Sequence, residues 1–268
     1  MRFVYPKGLR KALTFSYDDG QIYDKRLVSI FNQYGLKGTF HLNSGRLGFH
    51  GENDYCIDSE EVAEVYIGHE VACHGVHHRN PPTITIQQMV AEVEEDRKAL
   101  EKLTGYLVQG MSYAYGKYSE DVKQVVRMLG IKYSRTGKST QEFFPPVDFL
   151  EWHPTCHHNG LMEMGKQFLD VPEYYELPLM NVFGHSFEFG RPDNWHLIED
   201  FSERMSGKED IWYATNIEIC NYILAVRAQE FSADGMTIHN PTATTVWVNT
   251  KDGLVEVSPG AVRHIGER

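Results

Sequence analysis

The sequence predicts an α/β fold built on a parallel sheet. Three observations point there: short apolar strands alternate with amphipathic helices, capping residues or glycines bound the helices, and carboxylates and imidazoles fall directly after the strands. ALTFSY (12–17) reads as the first strand, and residues 22–34 read as a helix stopping at Gly35. GTFHL (38–42) is the next strand. Asp58 and Glu61 have the spacing of a capping box that opens a short helix ending at Gly68, and HEVAC (69–73) is again strand-like. A second box, Thr85 and Gln88, starts the clearest helix, whose apolar face is Ile86, Met89, Val90, Val93 and Leu100. YLVQGMSY (106–113) precedes Ser119, the predicted cap of a helix with Val122, Val125, Val126 and Leu129 on one face. IKYSR (131–135) is the strand that follows.

Residues 138–178 break the rhythm with five prolines and scattered aromatics, which predicts a long functional loop. LMNVFGH (179–185) restores a strand, and helices are expected near 194–206 and 215–229, the second capped by Thr215 and Glu218. From Met236 the period changes to short strands, MTIH, TVWVN and LVEV, separated by Asn240-Pro241 and Asp252-Gly253. The expected organisation is a main domain over 1–235 and a small β-appendage over 236–268. Frequent strand-helix alternation implies right-handed crossovers in a sheet that is open or closed into a barrel.

Composition narrows the function classes. With 26 basic and 37 acidic residues the chain carries a net charge of −11, and no Lys/Arg run exceeds two, so no nucleic-acid partner is expected. No apolar run approaches the roughly 20 residues of a membrane span, and Pro6, Lys7, Gly8, Arg10 and Lys11 interrupt any signal-peptide core; a soluble, cytoplasmic protein is expected. Cys56, Cys73, Cys156 and Cys220 lie far apart without a CxxC pair, which predicts buried reduced thiols.

In parallel sheets ligands sit at the carboxyl ends of the strands. There the sequence places Asp18 and Asp19, then His74, His77 and His78, then Tyr115 and Gly116, then His185. His74 and His78 are four apart, the spacing that stacks two imidazoles on one face of a helical turn; with one carboxylate they make a three-ligand set that leaves positions open on a catalytic zinc ion. His77, at spacing three, is a rival that spacing alone does not exclude. His41, His69 and His196 are expected to be hydrogen-bonded structural residues, and Trp195, Trp212 and Phe201 to pack in the core. His153, His157 and His158 sit in the proline-rich region, where WHPTCHH could line a cleft; Trp152 is the candidate for stacking on a sugar.

These segments resemble the polysaccharide deacetylases, carbohydrate esterase family four. FSYDDG (15–20) resembles the (T/S)-(F/Y)-D-D-G motif, and GHEVACHGVHH (68–78) is similar to G-H-E-(I/V)-x-x-H-(S/T)-x-x-H. KGTFHLN (37–43), MSYAYG (111–116) and NVFGHS (181–186) stand where the family has A-T-F-F-(V/L)-x, F-R-x-P-Y-G and the histidine of its last motif, so the likeness covers roughly residues 10–230. The resemblance implies a distorted (β/α) barrel of about seven strands. It makes Asp19, His74 and His78 the ligands of a divalent cation, Zn2+ first with Co2+ or another divalent ion as alternatives. It also makes Asp18 the catalytic base, His185 the acid, and the backbone at Tyr115 and Gly116 the oxyanion-binding turn. The implied substrate is an acetylated carbohydrate. Two departures stand out: the family's arginine is replaced by Ser112, leaving Arg135 at the next strand end as a substitute cation, and the aspartate-tryptophan pair behind the catalytic histidine has only Glu151-Trp152 as a counterpart. Alternatives are a cytoplasmic amide or imide hydrolase of the same fold and a non-catalytic carbohydrate-binding protein; oligomeric state is open.

Overall fold

The computed structural model describes residues 1–52 and 54–266. Its main sheet is built from β2 (Lys11–Asp18), β3 (Gly38–Leu42), β4 (Glu70–Cys73), β5 (Gly110–Ser112), β6 (Tyr133–Arg135), β7 (Cys156–His157), β8 (Leu179–His185) and β9 (Ile211–Tyr213). Seven of these strands lie in the order β6-β5-β4-β3-β2-β8-β7, all parallel, with β9 added beside the start of β2. The sheet is the distorted (β/α) barrel expected from the sequence.

Alternation along the strands explains what faces where. On β2, Leu13, Phe15 and Tyr17 point into the helical layer, where the Phe15 and Phe31 rings lie 4.5 Å apart; Thr14, Ser16 and Asp18 point inward. β3 repeats this, with Phe40 and Leu42 in the apolar core and Thr39 and His41 inside. The barrel interior is therefore polar, and several of its groups pair there: Thr39 and Tyr133 hydroxyls donate to Glu70, as does the backbone N–H of Ile217 at the start of α8 (Asn216–Arg227). A helix N-terminus aimed at a buried carboxylate plugs the lower end.

The contact between Arg135 and Asp18 measures the curvature. β6 and β2 are four strands apart in the sheet order, about 19 Å on a flat sheet at ~4.8 Å per strand, which no arginine spans. At the seam between β6 and β7, Trp152 pairs with the edge of β6: its backbone N–H donates to Ser134 O at 3.0 Å while its carbonyl accepts from Thr136 N at 2.9 Å. Trp152 is thus only 1% exposed, edge-on to Tyr133 and Phe149, and cannot stack on a sugar.

Outside the sheet lie α1 (Asp24–Tyr34), α2 (Val62–Val65), α3 (Ile86–Thr104), α4 (Glu120–Met128), α5 (Leu161–Leu169), α6 (Phe187–Gly190), α7 (His196–Met205) and α8. Gly35 ends α1 in the left-handed conformation at φ 65°, and the Thr85 and Thr215 boxes both form. Asp58 makes no cap bond and instead accepts from His50. The region 138–178 is not a structureless loop, since β7 and α5 lie within it. β9 was likewise not expected.

The expected appendage is broader than 236–268. β1 (Arg2–Val4) pairs with β12 (Val246–Thr250), which also pairs with β13 (Gly253–Val257); β10 (Glu230–Phe231), β11 (Thr237–His239) and β14 (Val262–His264) form a second small sheet. TVWVN thus pairs within the chain, and both chain ends contribute. All four cysteines are free and buried. Among the described residues no helix is long and apolar enough to cross a membrane.

Candidate functional site

The site forms where parallel strands end side by side. Register puts Asp18 opposite His41 of β3 on one side and His185 of β8 on the other, while Ser112 of β5 faces Arg135 of β6. His74 and His78 follow β4. They do not ride a helical turn, as their spacing suggested, but an irregular loop in which His78 is left-handed at φ 55°. Two carboxylates one turn apart on α3 hold that loop from behind. Asp96 accepts from His74 N at 3.0 Å, Gly75 N at 2.9 Å and Ser44 N at 2.7 Å, and Glu92 accepts from His77 N at 2.9 Å. Asn43, just past β3, donates to the carbonyls of His74 and Gly75.

This scaffold brings Asp19 Oδ1 to 3.7 Å from His74 Nε2 and 3.8 Å from His78 Nε2. His77 is not part of the cluster. Burial lowers the pKa of both site imidazoles, leaving neutral rings with lone pairs, and Asp19 Oδ1 is buried without a hydrogen-bond partner among the described residues. Four ligands around zinc at about 2.0–2.1 Å stand ~3.3 Å apart, so the two Asp19–imidazole distances lie within about half an ångström of that spacing, and all three atoms lie within 4.8 Å of one another. The donor set fits a divalent metal. The His74 tautomer is also fixed: Ser112 O lies 3.0 Å and Ser112 Oγ 2.6 Å from His74 Nδ1, and Oγ donates onward to Asp18 Oδ1 at 3.0 Å. His74 Nδ1 must therefore carry the proton, and Nε2 is free to ligate.

Asp18 is differently placed. Burial alone would raise its pKa, but Arg135, His74 and His41 outweigh that and hold the carboxyl well below the usual range. The Arg135 guanidinium contacts Asp18 Oδ2, and its Nε donates to Ser16 Oγ at 3.0 Å. His41 Nδ1 lies 3.3 Å from Asp18 Oδ1, so this histidine faces the site as well as belonging to the core.

His185 Nε2 stands 3.9 Å from Asp19 Oδ2, and its Nδ1 is 3.1 Å from Glu188 Oε2. Burial lowers the His185 pKa, yet the Glu188 hydrogen bond and the Asp18 and Asp19 charges raise it overall. Glu151 is not behind His185: it accepts from Tyr118 and Lys123 on the far side of the seam. Glu188, Asp96 and Glu92 escaped the sequence reading, although His185 and Glu188 have an i,i+3 spacing that could have exposed the pair. Tyr115 is left-handed at φ 58°, 64% exposed, and edge-on to His78 with ring centroids 4.6 Å apart. The neighbouring Gly116 N–H is spent on Tyr113 O at 2.8 Å. Asp19, at φ 79°, joins His78 and Tyr115, so strained backbone gathers at this site.

The polysaccharide deacetylase family model matches residues 6–134, a span holding Asp18, Asp19, His74, His78, Ser112 and Tyr115. The likeness in fold extends further along the chain. A Mycobacterium smegmatis protein assigned to the polysaccharide deacetylases superposes with a TM-score of 0.62 at 16% identity, covering 85% of this chain and 95% of its own. A Pseudomonas aeruginosa PAO1 protein with the same assignment gives 0.61 at 15% identity, covering 81% and 91%. The family 4 carbohydrate esterase of Streptomyces lividans, solved with acetate, gives 0.51 at 12% identity, covering 76% and 91%. At these identities the likeness shows the fold. Among curated proteins none matches the chain.

Proposed function

We propose that the protein is a metal-dependent hydrolase that removes N- or O-acetyl groups from a carbohydrate. The observation that carries this reading is the meeting, at the strand ends, of an unpartnered Asp19 oxygen with two neutral imidazoles, next to an Asp18 that is braced by an arginine. Asp19, His74 and His78 would hold the cation, which when bound polarises the acyl carbonyl and acidifies water.

This chain's own residues do the rest. Asp18 accepts the proton of the attacking water, and its bonds to Ser112 and Arg135 aim it. The Tyr115 backbone N–H, presented by its left-handed turn, is the donor for the oxyanion, and the exposed Tyr115 ring offers a face to the sugar. His185, whose pKa its partnership with Glu188 raises, gives its Nε2 proton to the departing amine or alkoxide. The products are acetate and a free amino or hydroxyl group. The acetate bound by the Streptomyces lividans esterase supports an acyl site of that size.

Acetate release from a panel of N- and O-acetylated oligosaccharides, run beside ring opening of small imides, tests the reading: acetate is expected, and imide turnover without acetate would replace it. Glu188→Gln keeps a hydrogen-bond acceptor but removes the charge that raises the His185 pKa. The alkaline limb of the kcat profile should move to lower pH, and the rate at a fixed pH on that limb should fall about 10-fold for each pH unit the limb moves. An unmoved limb would assign the acid elsewhere.

A further inference from the structure

We infer that His157, His158 and Glu188 form a second divalent-cation site, separate from Asp19, His74 and His78. His157 ends β7, His158 follows it, and Glu188 sits on α6 just past β8, so two adjacent strand ends supply the set. His157 Nε2 and His158 Nε2 stand 3.1 Å and 3.6 Å from Glu188 Oε2, on either side of the ~3.3 Å ligand spacing of tetrahedral zinc. Two imidazoles and one carboxylate suit Zn2+ and leave a position for water.

His158 is the residue that other roles leave unexplained. Glu188 is accounted for by His185, and His157 by its bond to Glu188. His158 is 1% exposed, its Nδ1 has no partner, and its Nε2 makes no hydrogen bond among the described residues while pointing at Glu188. Its Nε2 is the nitrogen turned to the cluster, 3.6 Å from Glu188 Oε2. The chain also makes room for it: a Cβ on Gly184 would collide with the His158 ring, which packs against Phe189 and Tyr17. An apolar side chain would fill that space without burying unpaired nitrogens.

Binding has a structural cost. Asn159 N donates to His157 Nδ1 at 3.3 Å, which puts the His157 proton on Nε2; ligation at Nε2 moves that proton to Nδ1 and forfeits the bond. The second site therefore fills at higher cation concentration than the first. For the deacetylase reading, and resting on it, occupancy would draw Glu188 from His185.

The test uses Asp19→Ala protein, whose first site is disabled, titrated with Co2+ and followed by visible absorption and equilibrium dialysis. One equivalent should bind with the intense bands of tetrahedral cobalt and be displaced by Zn2+. Adding His157→Ala or Glu188→Gln should reduce binding from one equivalent to none, with thermal melts confirming the fold. Two results overturn the inference: Asp19→Ala binds no Co2+, or it binds the same equivalent with and without the second substitution.

Discussion

Asp18→Asn should lower kcat for acetate release by about 10^3-fold while leaving cation binding by Asp19, His74 and His78 unchanged. Asparagine keeps the shape and can still meet Ser112 and Arg135, but it cannot take a proton from water. Asp19 keeps its geometry toward His74 and His78, so metal content, measured on purified protein, should stay near one equivalent. Full activity in this variant would remove Asp18 from the chemistry. Loss of the metal would show that the adjacent carboxylates share one task.

Arg135→Met should be costly in a different way. Arg135 and Asp18 are both almost wholly buried, and removing one member of such a pair strands the other charge, at about 3–5 kcal/mol. The expected result is a large fall in the thermal midpoint at neutral pH. The sign of the pH dependence follows from Asp18, whose folded pKa lies below its unfolded value. In the wild type this carboxylate contributes stability above its unfolded pKa, near 4, and loses it as pH falls through the lower folded value. In Arg135→Met that contribution is lost, so the gap between variant and wild type should close as the pH is lowered below about 4. A gap independent of pH would mean that Arg135 acts through packing alone.

Strand ends were legible because chemistry and topology coincide there. FSYDDG and the histidine-rich segment after HEVAC announce themselves in one dimension, and parallel strand order places them together. Arg135 was visible as a basic residue closing a strand, but its reach to Asp18 depends on barrel curvature, which no local pattern encodes. Trp152 misled for the same reason: an aromatic in a proline-rich stretch reads as exposed until the seam between β6 and β7 is seen to need it. β7 has only two residues, too few for any periodicity, whereas Leu161, Met164 and Phe168 of α5 carried a helical rhythm that flanking prolines obscured. The four-residue spacing of His74 and His78 is met by a loop because Asp96 and Glu92, from a later helix, pin its backbone.

Re-adding Zn2+ to metal-depleted protein, with acetate release from an acetylated oligosaccharide followed at each step, bears most directly on the metal-dependent reading. Activity should be absent at the start, climb with the first equivalent and stay absent throughout in Asp19→Ala. Acetate released at the same rate without metal, or restored equally in Asp19→Ala, would contradict it.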